Sequence, residues 1–248
     1  MTKQRTDEWV KFDDHQLSYH TKQWSEQKES TISFYDFIKH KLHESNCVID
    51  LGAGAGAATS FFAAKVPKVS MVAADYVNDY LEIGNKLAES RGLKNLHFRQ
   101  VDWFNLQESN EFDGVISLQT LSWLPEIRTP IEQVLTRFKP KWFAITSLFY
   151  EGDISCIVEV LEHTNSRKSF YNVYSLKELQ RIATEFGYQL TKCEKFKISF
   201  DLPKPANLDL MGTYTKKVIN NRREEERLQI SGPLLMPWYM LLLEKLES

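Results

Sequence analysis

The sequence predicts an α/β fold built on a doubly wound, mostly parallel sheet with helices on both faces. Three observations lead to this prediction. Apolar runs typical of buried strands alternate with helical patterns over residues 46–200. The stretch VIDLGAGAGAATS at 48–60 leads from the first of these strands into a turn almost free of side chains, and acidic residues end the next two strands. Because parallel strands need crossover connections, the alternation favours parallel pairing.

Seven apolar runs are predicted as strands because β-branched and aromatic residues are frequent in them and turn residues bound them. Six of them are NCVIDL (46–51), VSMVAAD (69–75), LHFRQVD (96–102), FDGVISLQ (112–119), WFAITSLFY (142–150) and YQLTKCEKFKISF (188–200). The seventh, PLLMPWYMLLLEKL (233–246), contains two prolines and is shorter than the roughly 20 residues of a membrane-spanning helix, so we expect a buried strand there.

Helical patterns fill most of the intervals between these strands. Apolar residues recur at three- and four-residue intervals over 31–43, which indicates an amphipathic helix before the first strand. Further helices are expected over 57–65, 78–91 and 131–138. Ser175 and Glu178 have the spacing of a capping box and begin the last helix, which ends at Gly187.

Composition excludes several classes of function. The 248 residues suit one domain with an added lobe, and 31 basic against 33 acidic residues give a net charge of -2. So balanced a chain offers no electrostatic reason to expect a nucleic-acid or membrane partner. The three cysteines have no metal-site spacing, and the polar N-terminus lacks a secretory h-region. We therefore expect reduced cysteines, no metal and a cytoplasmic location.

The glycine-rich turn is the strongest candidate for a ligand site. Gly52, Gly54 and Gly56 follow a GxGxG spacing, which is also compatible with a tight turn that binds nothing. Ligands of open α/β sheets bind at the carboxyl ends of the strands. Asp75 ends the second strand 19 residues after Gly56, where an acid can accept hydrogen bonds from ribose hydroxyls. Asp102 ends the third strand and precedes an aromatic residue that could cover an adenine ring.

Five stretches in this order resemble the class I S-adenosylmethionine-dependent methyltransferases, in particular the small-molecule group of types 11, 12 and 25. They are VIDLGAGAG (48–56), VAADY (72–76), QVDWFNL (100–106), FDGVISLQTLSWLP (112–125) and YSLKELQRIATEFGYQL (174–190). The resemblance implies a Rossmann-like sheet in the order 3-2-1-4-5-7-6, with the C-terminal strand antiparallel. It also implies S-adenosyl-L-methionine as the cofactor and S-adenosyl-L-homocysteine as its product.

The resemblance assigns roles to the residues around the turn. Asp50 would orient the amine of the cofactor, and this role would explain why an acid lies inside an apolar strand. The alternative is that the Asp50 carboxylate caps neighbouring backbone N–H groups. Asp75 would hold the ribose, with Tyr76 on the adenine, and Asp102 would accept from the adenine amine beside Trp103. The remaining implied cofactor contacts are Gly52, Ala53, Gly54, Gly56, Leu118 and Gln119.

The resemblance also implies a division of the chain. Residues 1–45 would form a helical lid in which Tyr19 and Trp24 cover the cofactor, although simple packing of this segment on the sheet is as good an interpretation. Residues 46–200 would form the cofactor-binding core, 201–232 an insertion on the substrate side, and 233–248 the final core strand.

The acceptor is less defined. Ser122 stands where many relatives carry His or Gln, so we assign no catalytic base, and Ser122, Tyr150 and His163 are candidate substrate residues. The sequence lacks the Asn-Pro-Pro-Tyr tetrapeptide that would indicate methylation of a base or of glutamine. We expect a small or medium organic acceptor, with oxygen as the favoured atom. One alternative is a non-catalytic cofactor-binding protein. Another is a nicotinamide-dependent oxidoreductase, although GxGxxG is absent and no Tyr-x-x-x-Lys pair lies in a suitable helix.

Overall fold

A mixed sheet with helices on both faces forms the centre of the molecule in a computed structural model. The structure describes residues 6, 18, 21–163, 167–204, 206, 213–231 and 238–246. Seven strands form the main sheet: β1 (Cys47–Leu51), β2 (Ser70–Asp75), β3 (Leu96–Gln100), β4 (Gly114–Leu118), β5 (Trp142–Tyr150), β9 (Tyr188–Lys195) and β12 (Trp238–Lys245). The remaining strands are β6 (Glu159–Glu162), β7 (Arg167–Phe170), β8 (Tyr174–Ser175), β10 (Thr213–Ile219) and β11 (Glu225–Ser231).

The main sheet runs β3-β2-β1-β4-β5-β12-β9. Counted along the chain, these seven strands have the order 3-2-1-4-5-7-6, which confirms the predicted order. The first five pair in parallel, and β12 is antiparallel to both β5 and β9, as predicted. The two-residue strand β8 pairs with the end of β5 in addition. Order and direction together place the carboxyl ends of β1, β2, β3 and β4 at one edge.

Helices cover the two faces of the sheet: α1 (Glu29–His43), α2 (Ala57–Lys65), α3 (Asn78–Ser90), α4 (Arg128–Gln133) and α5 (Leu176–Glu185). The first three pack on one face and the last two on the other, in two separate hydrophobic clusters. Strand β1 shows why its sequence is apolar throughout. Val48 enters one cluster while Ile49 and Leu51 enter the other, as a parallel strand covered on both faces requires.

The observed elements depart from the predicted ones in a few places. The helix expected over 131–138 is α4 followed by a π-helical turn, Val134–Phe138. The strand expected over 188–200 ends at Lys195. Two hairpins, β6–β7 and β10–β11, were not predicted. Their strands are polar and mostly half-buried, so the apolar alternation that indicates a strand is weak in them.

The cysteines are free thiols at all three positions, Cys47, Cys156 and Cys193. Within the described ranges, no helix combines the length and the apolar character that crossing a bilayer demands.

Candidate functional site

The turn after β1 is held against the end of β2 by its own backbone. The N–H groups of Gly52 and Ala53 both donate to the carbonyl of Ala74, at 2.8 and 3.0 Å. Gly52, Gly54 and Gly56 have φ angles of 75°, 56° and 75°, in the left-handed region that side chains disfavour. The glycines are therefore required by the path of the chain, and they leave the main chain bare at the carboxyl edge of the sheet.

Asp75 fixes the middle of this turn. Its Oδ2 accepts from the Gly54 N–H at 2.8 Å, and its Oδ1 accepts from the Val77 N–H at 3.0 Å. Burial raises the pKa of this carboxyl, and the backbone N–H donors oppose that rise. Asp75 thus shapes the turn as well as standing beside it. Its expected role toward ribose hydroxyls stays a prediction.

Asp50 is the most unusual group of the site. It is 1% exposed within β1, and the Thr59 hydroxyl of α2 donates to its Oδ2 at 2.6 Å. Its Oδ1 is buried and accepts no hydrogen bond from the described part of the chain. The surroundings of Asp50 raise its pKa to about 7: burial raises it most, the Thr59 hydrogen bond lowers it, and the Asp75 charge raises it. An orphaned buried acceptor beside a bare turn fits a ligand that brings a cationic donor.

The end of β4 forms the neighbouring wall. Gln119 has a φ of 58°, its N–H donates to the Thr146 carbonyl, and its side-chain amide donates to the Ser30 hydroxyl of α1 at 3.2 Å. The Thr120 hydroxyl shares its proton between the carbonyls of Gly52 and Leu118, at 3.1 and 3.2 Å. The site therefore joins β1, β4 and α1 through specific hydrogen bonds.

Thr59, Thr120 and Ser30 were not singled out from the sequence. A hydroxyl residue within a helix or after a strand is common, and its sequence context carries no signal that it will bind a distant acid or turn. Only the fold brings Thr120 to Gly52, 68 residues earlier in the chain.

Asp102 and Trp103, predicted as a pair around an adenine ring, separate in the structure. Asp102 Oδ1 accepts from the Thr6 hydroxyl and from the Phe104 N–H, both at 2.9 Å. Trp103 is 6% exposed and lies in the hydrophobic cluster beneath α4, where its indole N–H donates to the Pro130 carbonyl. The buried indole thus already has its acceptor, and the expected contact of Trp103 with the cofactor stays a prediction.

The aromatic residues expected around the cofactor lie in different settings. Trp24 is 2% exposed, its indole N–H donates to the Ala55 carbonyl of the turn at 2.9 Å, and the Arg91 guanidinium lies over its ring. Tyr76 packs against the small cluster that contains Ala55. Trp24 therefore stabilises the turn from the N-terminal side, and its action as a lid stays a prediction. Tyr19 lies outside the described residues.

Ser122 has a structural role, and its expected contact with substrate stays a prediction. It is fully buried, and its hydroxyl accepts from the Leu148 N–H at 3.0 Å and pairs with the Ser147 hydroxyl. Its backbone N–H donates to Ser147 as well, and its carbonyl accepts from the Asn172 N–H. These bonds attach the 3-10 turn after β4 to β5.

The other candidate substrate residues are exposed. Tyr150 is 41% exposed at the end of β5, and its ring lies over Gly152. His163 is exposed in the turn that follows β6. Trp123, on the 3-10 turn after β4, is 39% exposed and contacts the buried Tyr171 ring edge-on, with 4.9 Å between centroids. The structure thus offers two accessible aromatic side chains where β4 and β5 end.

Comparison with known proteins identifies relatives of this arrangement. The sequence model of a family described as a methyltransferase domain matches residues 42–199. A curated relative, the release factor glutamine methyltransferase of Escherichia coli K12, is 28% identical over 120 residues, which is 48% of this chain and 43% of that protein. The chain thus spans less than half the length of the curated relatives that it matches first.

Solved structures show the same fold at low sequence identity. A SAM-dependent methyltransferase from Aquifex aeolicus is 17% identical with a TM-score of 0.58, covering 95% of this chain and 100% of that one. The 1,6-didemethyltoxoflavin-N1-methyltransferase of Burkholderia thailandensis, solved with 1,6-didemethyltoxoflavin and S-adenosylhomocysteine, is 16% identical with a TM-score of 0.58, covering 94% and 86%. The sheet and its flanking helices are therefore shared across these proteins.

Proposed function

This chain belongs to the methyltransferase domain family, and we propose that its glycine turn binds S-adenosyl-L-methionine for methyl transfer to a small or medium organic acceptor. When bound, this cofactor supplies a methyl group made electrophilic by the adjacent sulfonium. The protein's own part is to hold the donor, orient the acceptor and keep water away.

The observation that carries the proposal is the buried Asp50 Oδ1, which has no donor among the described residues. The amino acid end of S-adenosyl-L-methionine carries an ammonium, which would supply both the missing hydrogen bond and the opposite charge. Burying a carboxylate without such a partner costs several kcal/mol, on the order of the penalty for any unpaired buried ion. The residues present therefore fit this cofactor at its amine.

The other contacts are expected from the bare main chain around Asp50. The backbone of the glycine turn would line the amino acid end, and the end of β4 would close it through Leu118 and Gln119. Asp75 would receive the ribose hydroxyls on lone pairs not used by Gly54 and Val77, since each carboxylate oxygen accepts more than one bond. Asp102 would receive the adenine amine beside its contact with Thr6.

The transfer itself requires alignment more than acid–base chemistry. Holding donor and acceptor in line replaces a bimolecular encounter, which alone accounts for roughly 7–11 kcal/mol of barrier reduction in well-oriented reactions. No residue is assigned as a general base, because the Ser122 hydroxyl is already hydrogen-bonded to Leu148 and Ser147 of β5. An acceptor that is already nucleophilic needs none.

The accessible side chains support a small organic acceptor. Trp123 and Tyr150 are exposed aromatic residues near the ends of β4 and β5, and flat apolar faces suit an organic ring or chain. The curated relatives are named for glutamine, but residues 118–121 read Leu-Gln-Thr-Leu, without the Asn-Pro-Pro-Tyr tetrapeptide associated with that reaction. Oxygen is the acceptor atom we propose first, with nitrogen as the alternative.

Calorimetry with S-adenosyl-L-homocysteine tests the cofactor site. We expect the wild-type protein to bind it and not to bind NAD, and Asp50→Asn to weaken binding about 10- to 100-fold through loss of the charge. Asp36→Asn is the matched control, because Asp36 is an exposed acid on α1 paired with Lys39. Absence of binding to the wild-type protein, or binding of NAD instead, would contradict the proposal.

Turnover is measured separately by release of S-adenosyl-L-homocysteine in the presence of acceptor panels grouped by oxygen, nitrogen and aromatic content. Methylation of an organic acceptor supports the proposed activity. Cofactor binding without turnover on any panel member would favour the non-catalytic alternative instead.

A further inference from the structure

We propose that Thr59 is a positioning residue for the cofactor amine: its hydroxyl engages Asp50 Oδ2, directs Oδ1 to the ligand, and couples cofactor binding to release of a proton from Asp50. This inference rests on the proposed function, because it concerns how that same site receives its ligand. Thr59 belongs neither to the glycine turn nor to the acids at the strand ends, so this role is an addition to the site.

The inference is supported by the different surroundings of the two oxygens of the Asp50 carboxyl group. Thr59 is the third residue of α2 and is fully buried, and its hydroxyl lies 2.6 Å from Asp50 Oδ2. Oδ1 of the same group is equally enclosed but has no donor in the part of the chain that the structure describes. A hydroxyl carries a single proton to donate, so Thr59 fixes one oxygen and leaves the other.

The charge state of Asp50 is set by its surroundings. Asp50 lies between Ala73 of β2 and Ile116 of β4, so neither of its strand partners brings a charge. Within the described part of the chain, Asp75 is the charged group that acts on it, and this second acid disfavours ionisation. Thr59 opposes both Asp75 and burial, because a hydrogen-bond donor stabilises the carboxylate more than the acid.

Binding then shifts a proton in a defined direction. The ammonium of the ligand requires the carboxylate form, so any Asp50 that is protonated in the free protein loses its proton to solvent on binding. Since the surroundings of Asp50 raise its pKa to about 7, affinity falls as the pH drops below neutrality. Removing the Thr59 hydroxyl raises this pKa further, so the loss of affinity is largest at low pH and shrinks at high pH.

The experiment compares Thr59→Val with Thr59→Ser, using calorimetric affinity for S-adenosyl-L-homocysteine from about pH 6 to about pH 8.5, a range that spans the titration of Asp50. Valine keeps the shape but removes the donor, whereas serine keeps the donor. We expect Thr59→Val to bind about tenfold more weakly than Thr59→Ser at the acidic end, and within about twofold at the alkaline end. Titration of the ligand's own amine cancels in this ratio because both variants meet the same ligand.

Two further measurements make the result decisive. Proton release on binding, obtained from binding enthalpies in buffers of different ionisation enthalpy, should be present near neutral pH in the wild-type protein and absent in Asp50→Asn. Thermal midpoints of both Thr59 variants report any loss of folding. An affinity ratio that is constant with pH, or no proton release, would overturn the inference, while failure of the wild-type protein to bind at all would overturn the proposed function instead.

Discussion

Gly52 is constrained twice, by its backbone angle and by its neighbour. Its φ of 75° disfavours any side chain, and an added Cβ would overlap the Thr120 side chain. Thr120 cannot retreat without giving up its hydrogen bond to the Gly52 carbonyl. The bare turn is therefore maintained by contact with the residues after β4 as well as by local geometry.

Gly52→Ala is expected to destabilise the protein by more than the roughly 1–2 kcal/mol of a left-handed alanine and to abolish S-adenosyl-L-homocysteine binding. Gly187→Ala is the matched control, because Gly187 has a φ of 78° and open space where a Cβ would lie. Urea denaturation and calorimetry measure the two effects. Equal destabilisation of both variants, with binding retained in Gly52→Ala, would show that the contact with Thr120 is unimportant.

For single residues, the sequence predicts a site whose members are close together in the chain. It does not predict contacts that only the fold brings together. Asp50 and the glycines stand together within a short stretch of chain, so their chemistry can be recognised directly. Trp103 and Ser122 satisfy the same pattern of polar or aromatic residues after strands, yet both turn into the interior to satisfy their own hydrogen bonds. Sequence pattern does not distinguish a side chain that faces a ligand from one that faces the core.

At the scale of elements, the connection between β4 and β5 decides the shape of the substrate side. Strand β5 continues beyond its last pairing with β4, at Thr146, as far as Tyr150. Ser122 binds this extension through Leu148 and Ser147, and β8 pairs with its last two residues. The 3-10 turn that presents Trp123 is thus rigidly attached to the sheet.

Ser122→Ala is expected to lower the free energy of unfolding by about 1–3 kcal/mol, because the buried Leu148 N–H loses its acceptor. Cofactor affinity should stay unchanged. Ser90→Ala serves as the control, since Ser90 is exposed and its hydroxyl donates to Leu87 of its own helix. If Ser122→Ala instead keeps full stability and raises KM for an acceptor, a role for Ser122 in substrate binding is supported.

The elements that the sequence predicts well are those with a strong apolar pattern. Strands β1, β2 and β5 are continuous apolar runs, and α1 repeats its apolar residues every three or four positions. The hairpins β6–β7 and β10–β11 bury little, so backbone pairing rather than apolar patterning defines them. The 201–232 region was expected as an insertion, and its role on the substrate side stays a proposal.

For the whole molecule, two hydrophobic clusters separated by the sheet provide the stability on which the site depends. Strand β12 contributes to both, with Leu241 and Leu243 on one side and Trp238, Met240 and Leu242 on the other. Its apolar character predicted a core strand, but its place between β5 and β9 was expected from the family resemblance rather than from its own residues. Hydrophobic patterning identifies a strand without specifying its neighbours.

Leu241→Ala is expected to lower the free energy of unfolding by about 2–5 kcal/mol, as for other fully buried leucines, since Leu241 is 0% exposed. Leu246→Ala, just beyond β12 and 42% exposed at that position, should change stability by less than about 0.5 kcal/mol. Urea midpoints at constant slope give both values. A similar small effect of both substitutions would mean that β12 contributes little to the core.

The position of β12 also affects the order in which the strands of the sheet can pair during folding. Strand β9 pairs with β12 in the described sheet, and β12 comes about 40 residues later in the chain. During synthesis, β9 therefore leaves the ribosome before this partner strand does. Pairings between segments so far apart in sequence close slowly, and unpaired edges are prone to association in the meantime. The half of the sheet that carries the glycine turn pairs without β12 and can assemble first.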